Sequence, residues 1–131
     1  MRRAGREPRT IRREGGATAL DRLAACRAWL SAADRPTAVL TYSSPGPIIL
    51  AAARLGLRVP QDLSVVTFED APSTEVGLPV TTMIVPQREV GRAGARMLLE
   101  RIEDPETALA PRTIPFELAE GASCAPPAPG R

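Results

Sequence analysis

The stretch GLRVPQDLSVVTFED, residues 56–70, decides the fold. Gly56 suits the left-handed backbone position that closes a helix, and Pro60 stiffens the loop that follows. LSVVTF, residues 63–68, is nearly continuous in apolar and β-branched side chains, the pattern of a strand covered on both faces. Glu69 and Asp70 then end the strand. Two acids at that point need a reason, and the segment before them supplies it.

Upstream, TAVLTY at residues 37–42 reads as a second short strand. It runs into Ser43-Ser44-Pro45-Gly46, with Ser44 as a helix N-cap and Pro45 at the first helical position, where a missing N–H is harmless. That helix is expected to end at Leu55, with Gly56 beyond it. Strand, helix and strand in about thirty residues form a βαβ unit with parallel strands and a right-handed crossover. In such sheets ligands sit beyond the carboxyl ends of the strands. Ser43 and Ser44 follow the first strand, and Glu69 and Asp70 follow the second. The four residues are therefore expected to line one rim.

Working outward, residues 17–32 read as a helix on Leu20, Leu23, Ala24, Arg27 and Leu30, broken by Asp34-Arg35-Pro36. After a loop holding Pro72, Gly77 and Pro79, VTTMIV at 80–85 reads as a third strand. A long helix follows from Pro86 to about Ile102, striped by Val90, Ala93, Met97, Leu98 and Ile102. Gly91 and Gly94 lower its propensity by about 1 kcal/mol each and suggest a close neighbour. RTIPFEL, 112–118, reads as a last strand, at an edge or bulge because of Pro115. Residues 1–15 read as a basic disordered arm, 16–124 as the folded part, which the resemblance given below makes a partial effector-binding and dimerisation domain, and 125–131 as a disordered tail. The class is α/β.

The composition excludes more than it proves. There is no histidine, so the commonest general base, the Ser-His-Asp triad and the commonest zinc ligand are missing. The 17 basic residues are all Arg. Six of them and two Glu fall in residues 1–14, which leaves the rest mildly acidic, without a broad nucleic-acid footprint. Trp29, Tyr42, Phe68 and Phe116 are the only aromatics, too few for an RNA-stacking platform and a weak basis for a sugar-stacking groove. Cys26 and Cys124 lack metal-ligand spacing. No cofactor, metal site, secretory signal or membrane span is expected.

The order of these signals resembles the C-terminal part of bacterial regulators of the lactose repressor and galactose repressor family. It is carried by RPTAVL, GLRVPQDLSVVTFED, PVTTMIVPQREVGRAGARMLLERIE, PFEL and APP, between about Gly15 and Pro127. The resemblance implies a periplasmic-binding-protein-like (type I) effector domain, here incomplete and mostly its second lobe, with parallel strands and flanking helices. It implies a cytoplasmic regulator that senses a small molecule, usually a sugar or related polyol. The full-length parent would work as a homodimer and reach operator DNA through an N-terminal helix-turn-helix head with no counterpart here. It implies that the segment resembling residues 80–103 crosses into the first lobe, leaving its helix short of sheet partners.

The family often carries Asn-Asp where this chain has Ser43-Ser44. Its aromatic-Asp-Asp appears as Phe68-Glu69-Asp70, so Glu69 matches an effector-binding acid with one more methylene. The cleft position after the third strand falls near Gln87, and an Arg common in the last strand's tail is Gly121 here. A fragment of a periplasmic sugar-binding protein of a transporter shares the architecture and is the alternative. An enzyme is disfavoured: a Ser43 or Ser44 nucleophile would have no His or Lys base, and adjacent Glu69 and Asp70 project to opposite sides of an extended strand.

Overall fold

The computed structural model describes residues 8–11, 18–42 and 44–126. Most of the N-terminal arm, Ser43 and residues 127–131 lie outside the described residues. Three helices and five strands follow one another as α1 (Ala19–Leu30), β1 (Ala38–Thr41), α2 (Gly46–Arg54), β2 (Ser64–Glu69), β3 (Ser73–Glu75), β4 (Leu78–Ile84), α3 (Gln87–Glu103) and β5 (Glu117–Ala119).

α1 starts at a capping box absent from the sequence reading. Thr18 Oγ1 accepts from the Asp21 N–H at 3.2 Å, and the Asp21 carboxylate accepts from the Thr18 N–H at 2.8 Å. The Thr18 hydroxyl, which donates to the Asp21 carboxylate at 2.7 Å, and then the Thr18 N–H hold the Asp21 carboxyl below its ordinary range. α2 is apolar enough to be buried along its length: Ile48, Ile49, Ala51 and Ala52 are all inside. Its N-cap is Pro45, not Ser44, and no side chain bonds the cap. Gly56 has φ 71°, as its place after a helix demands. The loop to β2 is closed by Asp62, whose carboxylate accepts from the main-chain N–H of Arg58 at 3.0 Å and from its Nε at 2.9 Å.

The strands form one sheet in the order β1-β2-β4-β3, with β5 also on β4. β1 and β2 are parallel, with Thr41 opposite Thr67. β2 and β4 are parallel too, with Glu69 opposite Ile84. β3 and β5 are antiparallel additions to the two ends of β4. The βαβ unit expected from the sequence is therefore present. β3 was not expected: residues 73–79 read as loop because Pro72, Gly77 and Pro79 dominate the pattern. The turn at Val76 (φ 52°) and Gly77 (φ 75°) folds them into a hairpin. Residues 112–116, expected in the last strand, stay outside it.

One face of the sheet carries the core. Leu30, Ile48, Ala51, Ala52, Leu63 and Val65 pack together, with Trp29, Cys26 and Val39 against them. Burial pushes the Cys26 thiol pKa up. Fully burying Leu30 or Leu63 stabilises the fold by about 1.5–3 kcal/mol each. The expectation that both faces of β2 are covered is corrected. Val65 and Thr67 point under the helices and are buried, whereas Val66 and Phe68 on the other face are half-buried, and neighbouring Leu40 is 64% exposed.

α3 has no buried residue; Leu98 and Ile102 of its stripe are exposed, and so is Leu99 beside them. A Cβ at Gly91 or Gly94 would meet nothing within 4 Å, so these glycines mark no close neighbour.

The chain ends by crossing its own sheet. β5 lies on the edge of β4 away from β2, yet Ser123 joins both strands. Its Oγ accepts from the Thr81 N–H at 2.8 Å and donates to the Val65 carbonyl at 2.5 Å. Gly121 is the crossing point. A Cβ there would sit 2.5 Å from Val80 C and 2.6 Å from both Pro79 O and Thr81 N. Beyond the crossing, the Ala125 N–H donates to Ser64 Oγ at 3.2 Å.

Candidate functional site

β1 and β2 run side by side in the same direction, so both deliver their carboxyl ends to one rim. Glu69 is the last residue of β2 and is half-exposed; Asp70 follows it, fully exposed. The Glu69 carbonyl accepts from the Val85 N–H at 2.8 Å, and the Val85 carbonyl accepts from the Gln87 N–H at 2.8 Å. Two backbone bonds thus tie the end of β2 to the first residue of α3. They bring Gln87, exposed, to the rim that holds Glu69.

Ser44 lies on the same side of the sheet, in the turn between β1 and α2. Its hydroxyl does not cap α2; it donates to Glu75 Oε1 at 3.1 Å. Ser43 lies outside the described residues. Of the five residues singled out from sequence, Ser44, Glu69, Asp70 and Gln87 therefore sit at the carboxyl ends of β1, β2 and β4. The ion pairs of the described residues are Arg9–Asp34, Arg58–Asp62 and Arg112–Glu100. None of them takes up Glu69, Asp70 or Glu75.

Two groups at this end went unread in the sequence. Glu75 is one; it lies in the missed hairpin, and no pattern in residues 73–79 pointed at Ser44. The other is aromatic. Tyr42 stacks on Phe68 with ring centroids 4.4 Å apart, and Phe116 meets Phe68 edge-on at 5.9 Å. Three of the four aromatics are thus gathered in one cluster, with Tyr42 75% exposed. Extending the β1–β2 register by one residue sets Tyr42 beside Phe68, so that pair was within reach of the sequence.

The rim is one wall, not an enclosed pocket. A groove of about 430 Å³ lies against α1 and α2, lined by Leu23, Arg27 and Arg54 among others. Another of about 470 Å³ lies between α3 and residues 112–114. Neither is lined by a rim residue. What the rim can do by itself is present carboxylates, a hydroxyl and an amide to a polar molecule. A site of that kind is suited to hold a polar molecule by hydrogen bonds.

An α/β sheet of mostly parallel strands, with a polar rim at their carboxyl ends, is the architecture of a binding lobe, and comparison with known proteins places the chain accordingly. The family model of the periplasmic binding protein-like domain matches residues 1–124, and the chain belongs to that family.

Within it, the likeness is to the C-terminal part of regulators of the lactose and galactose repressor type. The HTH-type transcriptional repressor PurR of Vibrio vulnificus is 40% identical over 76 residues, covering 56% of this chain and 23% of that protein. The crystal structure of a LacI family transcriptional regulator from Bifidobacterium animalis subsp. lactis matches with a TM-score of 0.68 at 30% identity, over 85% of this chain and 42% of that one. A transcriptional regulator CelR–cellobiose complex matches with a TM-score of 0.63 at 27% identity, over 81% of this chain and 33% of that one. The chain thus spans about a quarter of the curated repressor and less than half of each solved regulator.

Proposed function

We propose that this chain is the effector-sensing portion of a transcriptional regulator of the lactose and galactose repressor type, and that its ligand is a sugar or related polyol held by Ser43, Ser44, Glu69, Asp70 and Gln87. The observation that carries the reading is the shared rim. Ser44, Glu69 and Gln87 stand at or just beyond the ends of β1, β2 and β4, three neighbouring strands that run in one direction, which is where ligands of α/β sheets bind. Carboxylates suit a polyol because each accepts hydrogen bonds from hydroxyls, and charge-assisted bonds are about twice as strong as neutral ones. The CelR–cellobiose complex, one of the matched regulators, supports a sugar ligand.

A single open wall holds a ligand from one side, and an opposing wall would tighten the hold. The matched regulators are more than twice as long as the aligned part, and a second lobe facing this rim would supply it. DNA binding and dimerisation belong to the longer protein in this reading, and its place of work is the cytoplasm, where operator DNA is. No catalytic step is assigned. The transporter alternative has no support among the matched relatives described above, which are transcription regulators.

The test is a thermal-shift and calorimetric titration of the chain with cellobiose, lactose and ribose. A ligand that binds only the folded state raises the melting midpoint with concentration. At least one of the sugars is expected to do so, and Glu69→Ala is expected to abolish the rise. A flat response to all three sugars would falsify the reading.

A further inference from the structure

Thr67, in β2, is fully buried, and among the described residues its Oγ1 makes no hydrogen bond. Hydroxyls taken out of water are normally bonded, because one left alone forfeits its solvation and regains nothing. Valine has nearly the same β-branched shape without that penalty, and the buried residue two positions earlier on the same strand face is Val65. Shape and strand propensity therefore explain a β-branched residue at position 67. They do not explain the oxygen.

The register shows where this oxygen lies. Thr67 stands between Thr41 of β1 and Thr82 of β4, so these threonines form one row across neighbouring parallel strands. Paired residues project from the same face of a sheet. Thr82 is fully buried too, but its hydroxyl donates to the Val80 carbonyl at 2.7 Å, along its own strand. The Thr82 oxygen keeps lone pairs that can accept. On the amino-terminal side of the row lies the apolar core, where Val65 packs with Ile48, Ala51 and Ala52 of α2. On the carboxyl-terminal side, two residues on and on the same face of β2, is Glu69. The row is thus the boundary between core and rim.

Distance sets the link between them. Side chains two residues apart on a strand start about 6–7 Å from each other. That is too far for one hydrogen bond and close to the span of two through a water. Glu69 carries its carboxylate on two methylenes, long enough to reach back toward the row. A buried water needs about two to four polar partners. Thr67 Oγ1, the lone pairs of Thr82 Oγ1 and the Glu69 carboxylate supply them.

We propose that Thr67 is a positioning residue of the rim: its hydroxyl, through one buried water, holds the Glu69 carboxylate in the orientation in which it accepts from the hydroxyls of a polyol. The oxygen serves the ligand rather than the fold. The inference rests on the effector-site reading above and adds the buried group that aims its acid.

The experiment combines thermal melts of the whole chain with calorimetric titration by cellobiose, lactose and ribose, for wild type, Thr67→Val and Thr67→Ser. Thr67→Val removes the oxygen and keeps the shape. Without ligand it is expected to melt at or above the wild-type midpoint, since an apolar group of the same shape replaces a buried polar one. It is expected to weaken the Kd of whichever sugar wild type binds by about fivefold, the worth of one hydrogen bond. A residue that only supports the fold would lose affinity through lost stability; here affinity falls while the midpoint does not. Thr67→Ser keeps the oxygen and loses a methyl, so it is expected to melt lower and hold the Kd within about threefold of wild type. A crystal structure of the chain is expected to show a water within hydrogen-bond reach of both Thr67 Oγ1 and the Glu69 carboxylate. The proposal is overturned if Thr67→Val melts below wild type, if it leaves the Kd where it was, if Thr67→Ser weakens binding as much as Thr67→Val, or if no water joins the two residues. Should wild type bind none of the three sugars, the effector-site reading itself fails and the inference goes with it, an outcome distinct from binding that ignores Thr67.

Discussion

α2 and α3 are both patterned helices with apolar residues along one face, and the fold treats them oppositely. In α2, Ile48, Ala51 and Ala52 are buried between β2 and α1, and Ile49 is buried as well. In α3, nearly twice as long, no residue is buried, and Leu98 and Ile102 are 66% and 73% exposed. The difference does not lie in the helices. α2 belongs to a βαβ unit whose two parallel strands force it back over the sheet, so its partner is built into the connection. α3 leaves the end of β4, and the strand that follows it, β5, returns antiparallel on β4, so no parallel crossover lays the helix across the sheet. Amphipathic pattern states that a helix needs a partner; connectivity decides whether the same chain provides one. An exposed stripe of this kind favours association.

This contrast can be broken or sharpened by three substitutions. The largest effect is expected from Leu63→Ala, because Leu63 is fully buried under α2. Such truncations cost about 2–5 kcal/mol, and urea denaturation should show the loss directly. Gly121→Ala comes next. The added carbon meets three backbone atoms that cannot rotate away, so overpacking should cost about 1–3 kcal/mol and weaken amide-exchange protection at Val65 and Thr81. The smallest effect on stability is expected from Leu98→Ser in α3, within about 0.5 kcal/mol, since the side chain has nothing to leave. Its signature should be reduced self-association in sedimentation runs. A loss at Leu98 as large as that at Leu63 would show that α3 is packed, and the contrast would collapse.

Much of this was legible beforehand, for reasons tied to particular residues. Gly56, Pro60 and the run 63–68 marked a helix end, a loop and a strand through local backbone chemistry alone. The rim followed from them, since parallel neighbours must end on the same side. Ser44 was read at the right place with the wrong partner. An N-cap serine and a serine bonded to a distant acid look the same in sequence, and the choice was made by Glu75, thirty-one positions later. The hairpin carrying Glu75 was hidden because Pro72, Gly77 and Pro79 break its strand pattern. Gly121 looked like the loss of a functional side chain; its real constraint is the β4 backbone passing beneath it.

The sequence by itself determined the α/β class, the βαβ unit and the acids that end β2, because periodicity, turn chemistry and handedness act over a few neighbouring residues. Only the tertiary structure decided that Ser44 is answered by Glu75, that the chain crosses β4 at Gly121, and that α2 is covered while α3 is bare. Those outcomes depend on contacts between segments far apart in the chain, and such contacts are set by packing and by the paths of the connections, which no local pattern encodes.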